Sequence, residues 1–218
     1  MPVGSAIVPM PLVRALVERP CIDGAALREA VRAAGLSPVL PLQPAVRIPA
    51  ERFAALYREL ALRMDDEMPG MFSRPIRGGT LKFLCRLLLD APSVQVALHR
   101  VVRFARLVLD DFALELHRDA RCAQLSMRPR GTGGPRPAVG QQPLPELLHG
   151  VPGRLAGRQV AMCGVRFAFP RSAFVCAHLY PCAPQFERPA SAFGFDAALL
   201  SLPVRRGRRE LDAFVGQA

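Results

Sequence analysis

The side chains able to do acid–base, nucleophilic or metal chemistry are few in this chain, and their spacing builds none of the familiar reactions. There are four histidines, His99, His117, His149 and His178. None stands in an order with Ser or Cys and Asp that a nucleophilic triad requires, and no G-x-S-x-G elbow is present. The carboxylate groups Asp65/Asp66/Glu67 and Asp110/Asp111 fall at the ends of helical stretches, where solvation is the ordinary role of charge. Six cysteines, Cys21, Cys85, Cys122, Cys163, Cys176 and Cys182, are scattered without a C-x-x-C pair. With a sizeable apolar core and no export signal, reduced and mostly buried thiols are expected. The run "FVCAHLYPC" brings Cys176, His178 and Cys182 close in sequence. A helix there would turn Cys176 and Cys182 to different faces, and no fourth ligand is near, so no metal is expected. These residues predict a protein that is not an enzyme and carries no cofactor.

Arginine is the other chemistry the chain offers. Lys and Arg number 29 against 18 Asp and Glu, a net charge of +11, and Lys82 is the one lysine. Such an excess favours polyanions, but here it is spread along the chain, with "VRRGRRE" (204–210) as the one dense run. Arg100, Arg103 and Arg106 recur every third residue in "APSVQVALHRVVRFARLVLDD" (91–111). At about 100° per residue, Val94, Ala97, Leu98, Val101, Phe104, Ala105 and Val108 share one sector and the arginines lie opposite. Pro92 is tolerated near a helix start and Ser93 can cap it. This is a surface helix of a globular domain, its arginines projecting outward from the core. Two rival readings remain: a basic module that binds nucleic acid by itself, and a haem or gas sensor built on His99.

Other elements must position that helix. A short helix is expected over 11–18, and a stronger one in "DGAALREAVRAAGLSP" (23–38), with Asp23 as N-cap and Gly35 just past its end. "ALREAVRAAGLS" (26–37) resembles the first half of a helix-turn-helix, but Pro38, Pro41 and Pro44 occupy the place of a recognition helix, so the motif fails. "RIPAERFAALYRELALRMDDE" (47–67) predicts a long helix with Phe53, Leu56, Tyr57, Leu60 and Met64 on its core stripe. "GGTLKFLCRLLLDAPS" (78–93) is apolar almost throughout from Leu81 to Leu89, which predicts a helix buried on most sides.

After residue 109 the period changes to two. Phe112, Leu114 and Leu116, then Leu125 and Met127, flank "RDAR" as a hairpin. "GTGGPRPAVGQQPLP" (131–145) reads as a connector, 145–157 as a weak helix, 159–170 as a strand through Val165, Phe167 and Phe169, and 171–180 as a short helix. Strand-like pieces around "PQFER" and "AFGFD" follow. The order predicts an α+β fold, its helical N-terminal half (about 1–108) packed on an antiparallel sheet formed by the C-terminal half (about 109–204). No apolar run is long enough to span a bilayer, and the N-terminus lacks the shape of a secretory signal, so a cytoplasmic address without membrane contact is expected.

Four segments in order, "AAGLSPVLPLQPAVRIPAERFAAL" (33–56), "GTLKFLCRLLLDAPSVQVALHRVVRFARLV" (79–108), "GVRFAFPRSAF" (164–174) and "PQFERPASAFGFDAALLSLPV" (184–204), carry a resemblance. The chain resembles the N-terminal effector-binding and dimerisation domain of AraC/XylS-type transcriptional regulators. Gln95 and Val96 depart from the small and acidic residues usual after the helix cap in that family, which removes half of a capping box. The resemblance implies one ligand-sensing domain over 1–218, a small-molecule effector, a homodimer, and DNA contact only through a C-terminal helix-turn-helix region absent from this chain. It places the effector between the 80–89 helix, the 93–108 helix and the sheet, with Phe83, Phe104, Phe112, Phe167 and Phe169 as candidate ligand-binding residues.

Overall fold

A computed structural model of the chain describes residues 7–19, 21–37, 47–130, 155–157, 162–171, 180 and 182–204. The chain divides into two compact units, Met1–Thr80 and Leu81–Ala218. The Pro38–Pro44 stretch, the 131–145 connector, most of the 145–157 and 171–180 segments, Cys176, His178 and the 205–210 arginines lie outside the described residues.

The first unit pairs a short strand β1 (Ile7–Pro9) with β2 (Arg47–Pro49) and surrounds them with α1 (Met10–Val17), α2 (Gly24–Ala33) and α3 (Ala50–Met64). Asp23 starts α2 as the sequence indicates, its carboxylate accepting from the N–H groups of Ala25 and Ala26, both at 3.0 Å. The end of α2 is equally specific. Gly35 N–H donates to Arg32 O at 2.9 Å and Leu36 N–H to Val31 O at 3.0 Å, with Gly35 at φ 66°. This is the Schellman pair of bonds, which needs a left-handed residue at its hinge. The Arg52 guanidinium of α3 covers that hinge and donates to Ala34 O at 3.0 Å, so a Cβ on Gly35 would fall 1.8 Å from Arg52 Nη1. Gly35→Ala is expected to cost about 1–2 kcal/mol, read as a lower urea midpoint.

Met10, Val13, Leu16, Val31, Ile48, Leu56 and Leu60 close the core of this unit. Leu56 and Leu60 are the predicted stripe of α3, one turn apart. The helix begins at Ala50 rather than at Arg47, because residues 47–49 are used as strand. Past its end the chain makes a loop organised by two adjacent carboxylates. Asp66 is buried, and its oxygens accept from Met68 N–H (3.0 Å), Gly70 N–H (2.9 Å) and Ile76 N–H (2.9 Å). Asp65, itself at φ 47°, accepts from Gly78 N–H and pairs with Arg77 at 2.9 Å. Those two bonds hold the Asp65 carboxyl below its ordinary pKa. The Tyr57 hydroxyl donates to Glu67 O at 2.9 Å. Burial, with the nearby Asp66 charge, pushes that phenol up to about 12.

In the second unit α4 (Thr80–Leu89, its first residue shared with the first unit) and α5 (Val94–Val108) precede a four-stranded antiparallel sheet. The strands are β3 (Phe112–Arg118), β4 (Cys122–Pro129), β5 (Met162–Arg166) and β6 (Ser191–Asp196), in spatial order β3-β4-β6-β5. The fold is α+β, with helices in the N-terminal half and the antiparallel sheet in the C-terminal half. Ser93 caps α5, accepting from Val96 N–H at 3.4 Å; Val96 has no carboxylate to return the bond. The β3–β4 hairpin turns at Asp119, whose carboxylate accepts from Arg121 N–H (2.9 Å) and Cys122 N–H (2.6 Å). Its register, Leu114 opposite Met127 and Leu116 opposite Leu125, puts the predicted apolar positions on one face. Phe193, Phe195 and Val165 continue that face on β6 and β5. α5 packs on β3, and Val94 N–H donates to Leu202 O at 2.9 Å, beyond a short 3-10 helix (Ala197–Ser201).

Four expectations need correction. Asp66 is not a solvated helix-end charge but is buried, its carboxylate taken up by three backbone N–H groups. α4 is not buried on most sides: Leu88 is its one buried residue, while Phe83 is 58% exposed and Leu87 also faces outward. An almost unbroken apolar run cannot show which side of a helix meets the core. "PQFER" is not a strand of the sheet. Gln185 instead makes an isolated parallel bridge to Arg166 at the end of β5. The thiols are not mostly buried either: Cys21 and Cys163 are exposed, and Cys85, Cys122 and Cys182 are half-buried.

Candidate functional site

The second unit gathers most of the candidate residues in two aromatic groups. β5 ends at Arg166, but the alternation that fills the core continues through Val165, Phe167 and Phe169, all buried. The segment stays extended because 185–188 runs alongside it. Phe167 N–H donates to Gln185 O at 2.8 Å, Gln185 N–H to Val165 O at 3.0 Å and Arg188 N–H to Phe167 O at 3.0 Å. Phe167 then stacks on Phe169 with ring centroids 4.8 Å apart and meets Tyr180 edge-on and Phe186 at a tilt, each at 5.6 Å. These are ordinary favourable aromatic geometries. Phe167 is fully buried, so this group fills space.

The second group is a pair of rings, Phe83 of α4 and Phe104 of α5, with centroids 6.3 Å apart. Phe104 is half-buried rather than at the base of the core stripe, where Val102 takes an unforeseen buried place. Phe112 opens β3, buried, at the opposite edge of the sheet from the β5 segment that carries Phe167 and Phe169. The five predicted residues thus stand as one buried pair, one partly exposed pair and one edge residue.

The three arginines of α5 separate in role. Arg100 reaches back to α4 and donates from Nη1 to Leu87 O at 2.6 Å, a cation at the carbonyl end of a helix. Arg103 and Arg106 are exposed. Arg100 therefore joins the two helices that carry Phe83 and Phe104, a role its spacing in sequence did not disclose. His99 is exposed on the same helix. His117 sits on the outer face of β3 with Nε2 3.1 Å from Glu115, which also lies 3.7 Å from Arg128. Beside them Arg166 donates to Gln124 across β6. This face is solvated and charged. Among the described residues no group of three or more His, Cys, Asp or Glu could hold a metal ion.

With this geometry in view, the comparisons with known proteins are specific. Residues 24–204 match the family model described as the arabinose-binding domain, N-terminal, of AraC transcription regulators. The chain belongs to this family. That arabinose-binding-type match runs from the start of α2 to the end of the described chain at Val204, through both units. Among solved structures the chain is similar to the transcriptional regulator CdpR from Pseudomonas aeruginosa, at 14% identity and a TM-score of 0.45, over 86% of this chain and 58% of that one. The chain thus spans less than two thirds of that regulator's length. No curated protein matches at a significant level. Among the described residues of this AraC-type domain no helix is long and apolar enough to cross a membrane. Membership places the chain with proteins that regulate transcription.

Proposed function

We propose that the chain is the sensing and dimerisation part of a cytoplasmic, ligand-responsive transcriptional regulator. In this reading it is not itself an enzyme, and DNA is read by a helix-turn-helix region outside these 218 residues. The family match over 24–204 is the observation that carries this reading. Residues 1–218 act in it as one regulatory domain, with a small organic effector as ligand and a second copy of the chain as partner.

The effector contact falls on Phe83 and Phe104. Of the five candidate aromatics these two keep surface to give a ligand, whereas Phe112, Phe167 and Phe169 already spend theirs on protein neighbours. The Arg100 bond to Leu87 O holds α4 and α5 together at that pair. An effector can act only through its differential affinity for two arrangements of the domain or dimer, a coupling of about 1–3 kcal/mol.

Thermal melting against a panel of organic acids, amino acids, sugars and small aromatics tests this. A ligand at about 100 times its Kd adds about 2.7 kcal/mol, a rise of several degrees in Tm. Phe83→Ala is expected to abolish that rise and leave the unliganded melt in place, and sedimentation is expected to show a dimer. A chain that stays monomeric and unmoved by the whole panel defeats the proposal.

A further inference from the structure

Cys122 and Cys163 are 41 residues apart and stand on strands that are not neighbours, yet their sulfurs lie 2.8 Å from each other. The order β4-β6-β5 puts β6 between them. Two features of that strand and its neighbour allow the meeting. Gly194 of β6 has no side chain, and a Cβ there would lie 3.0 Å from the Cys163 sulfur and 3.2 Å from that of Cys122. The β5–β6 register shifts between Met162, opposite Phe195, and Gly164, opposite Gly194, so Cys163 is the extra residue of a bulge. Both thiols are reachable, Cys163 being exposed and Cys122 half-buried.

We propose that Cys122 and Cys163 are a redox-active dithiol that a hydroperoxide converts to an intramolecular disulfide bridging β4 and β5 over Gly194. The Cys122 thiolate attacks one peroxide oxygen. The O–O bond breaks, the remaining oxygen leaves as an alcohol or water, and Cys122 becomes a sulfenic acid. The Cys163 sulfur then attacks the Cys122 sulfur. The S–S bond forms as the S–O bond breaks, and hydroxide departs with the Cys163 proton as water. Two thiols are oxidised by two electrons and one peroxide is reduced. Desolvation, with the adjoining Cys122 sulfur, pushes the Cys163 thiol up to about 11.

The fold makes this bond reversible. The sulfurs must still close from 2.8 Å to the roughly 2.05 Å of a disulfide, which draws the bulge of β5 toward β4. With Cys163 exposed, the bridge lies open to thiols and is of the readily reduced kind. Oxidation would thereby tighten the strand that leads directly into Phe167 and Phe169.

The reduced 218-residue protein, treated with hydrogen peroxide and then alkylated in denaturant, supplies the test. Of six cysteines, two are expected to become unreactive, and tryptic peptides 122–130 and 159–166 to appear joined and lighter by two hydrogens. Dithiothreitol should restore both. Gly194→Ala retains the thiols but wedges a methyl between them, and is expected to lose the linked peptide. Joining of 159–166 to the peptide that holds Cys182 would overturn the proposal. So would a bond between two chains, or sulfinic acid at either cysteine with no linked product.

Discussion

Phe167→Ala lowers the stability of the second unit by about 3–5 kcal/mol, as expected for an aromatic ring removed from a core that cannot collapse around the void. The ring is fully buried and stacks within 4.8–5.6 Å of Phe169, Tyr180 and Phe186. Truncation removes three aromatic contacts together with the buried area. Urea unfolding followed by the β-sheet signal measures the loss. The matched control is Phe83→Ala, whose ring is mostly exposed; it should shift the midpoint by less than about 1 kcal/mol. Equal effects from the two variants would show that the aromatic group on the β5 segment is not part of the core.

Asp66→Ala is the second large effect, about 3 kcal/mol or more, and it falls on the first unit. The carboxylate accepts three backbone N–H groups from a loop of irregular structure, and each buried donor left without an acceptor costs about 1–3 kcal/mol. The Asn variant separates shape from charge. Its single carbonyl oxygen can keep the bonds from Met68 and Ile76, which share Oδ1, but its NH2 meets the Gly70 N–H donor to donor. Asp66→Asn should therefore lie between wild type and Ala. Hydrogen exchange gives the local readout: the Met68, Gly70 and Ile76 amides lose protection first. Unchanged exchange at these three amides would remove Asp66 from its role as the organiser of the 65–79 loop.

The contrast between these two sites marks where sequence reasoning succeeds. Periodicity carried the helices over 24–33, 50–64 and 94–108 and the 112–129 hairpin, because each buries one face and the alternation of apolar residues records it. It also placed Phe167 and Phe169 on the inner side of an extended segment. It could not place α4, where apolar residues occupy nearly every position and the choice of face is made by neighbours distant in sequence. Asp66 looks from sequence like a solvated helix-end charge, since nothing in "MDDEMPG" tells which of two adjacent aspartates turns inward. Cys122 and Cys163 were likewise invisible as a pair. Their meeting depends on strand order, on one bulge and on a glycine some thirty residues beyond the second cysteine, three facts that belong to topology rather than to any motif.

The 185–188 segment lying along the end of β5 has a consequence for how copies of this protein can join. Its backbone bonds occupy groups of Val165, Phe167 and Phe169 that would otherwise be open to a foreign strand, and Glu187 adopts φ 56° to complete the fit. Growth of the sheet by adding a strand is thereby obstructed at that rim. At the opposite rim β3 presents Glu115 and Arg118, charges that discourage an incoming backbone. A second copy that joined at the four-stranded sheet would therefore meet it side chain to side chain rather than lengthen it.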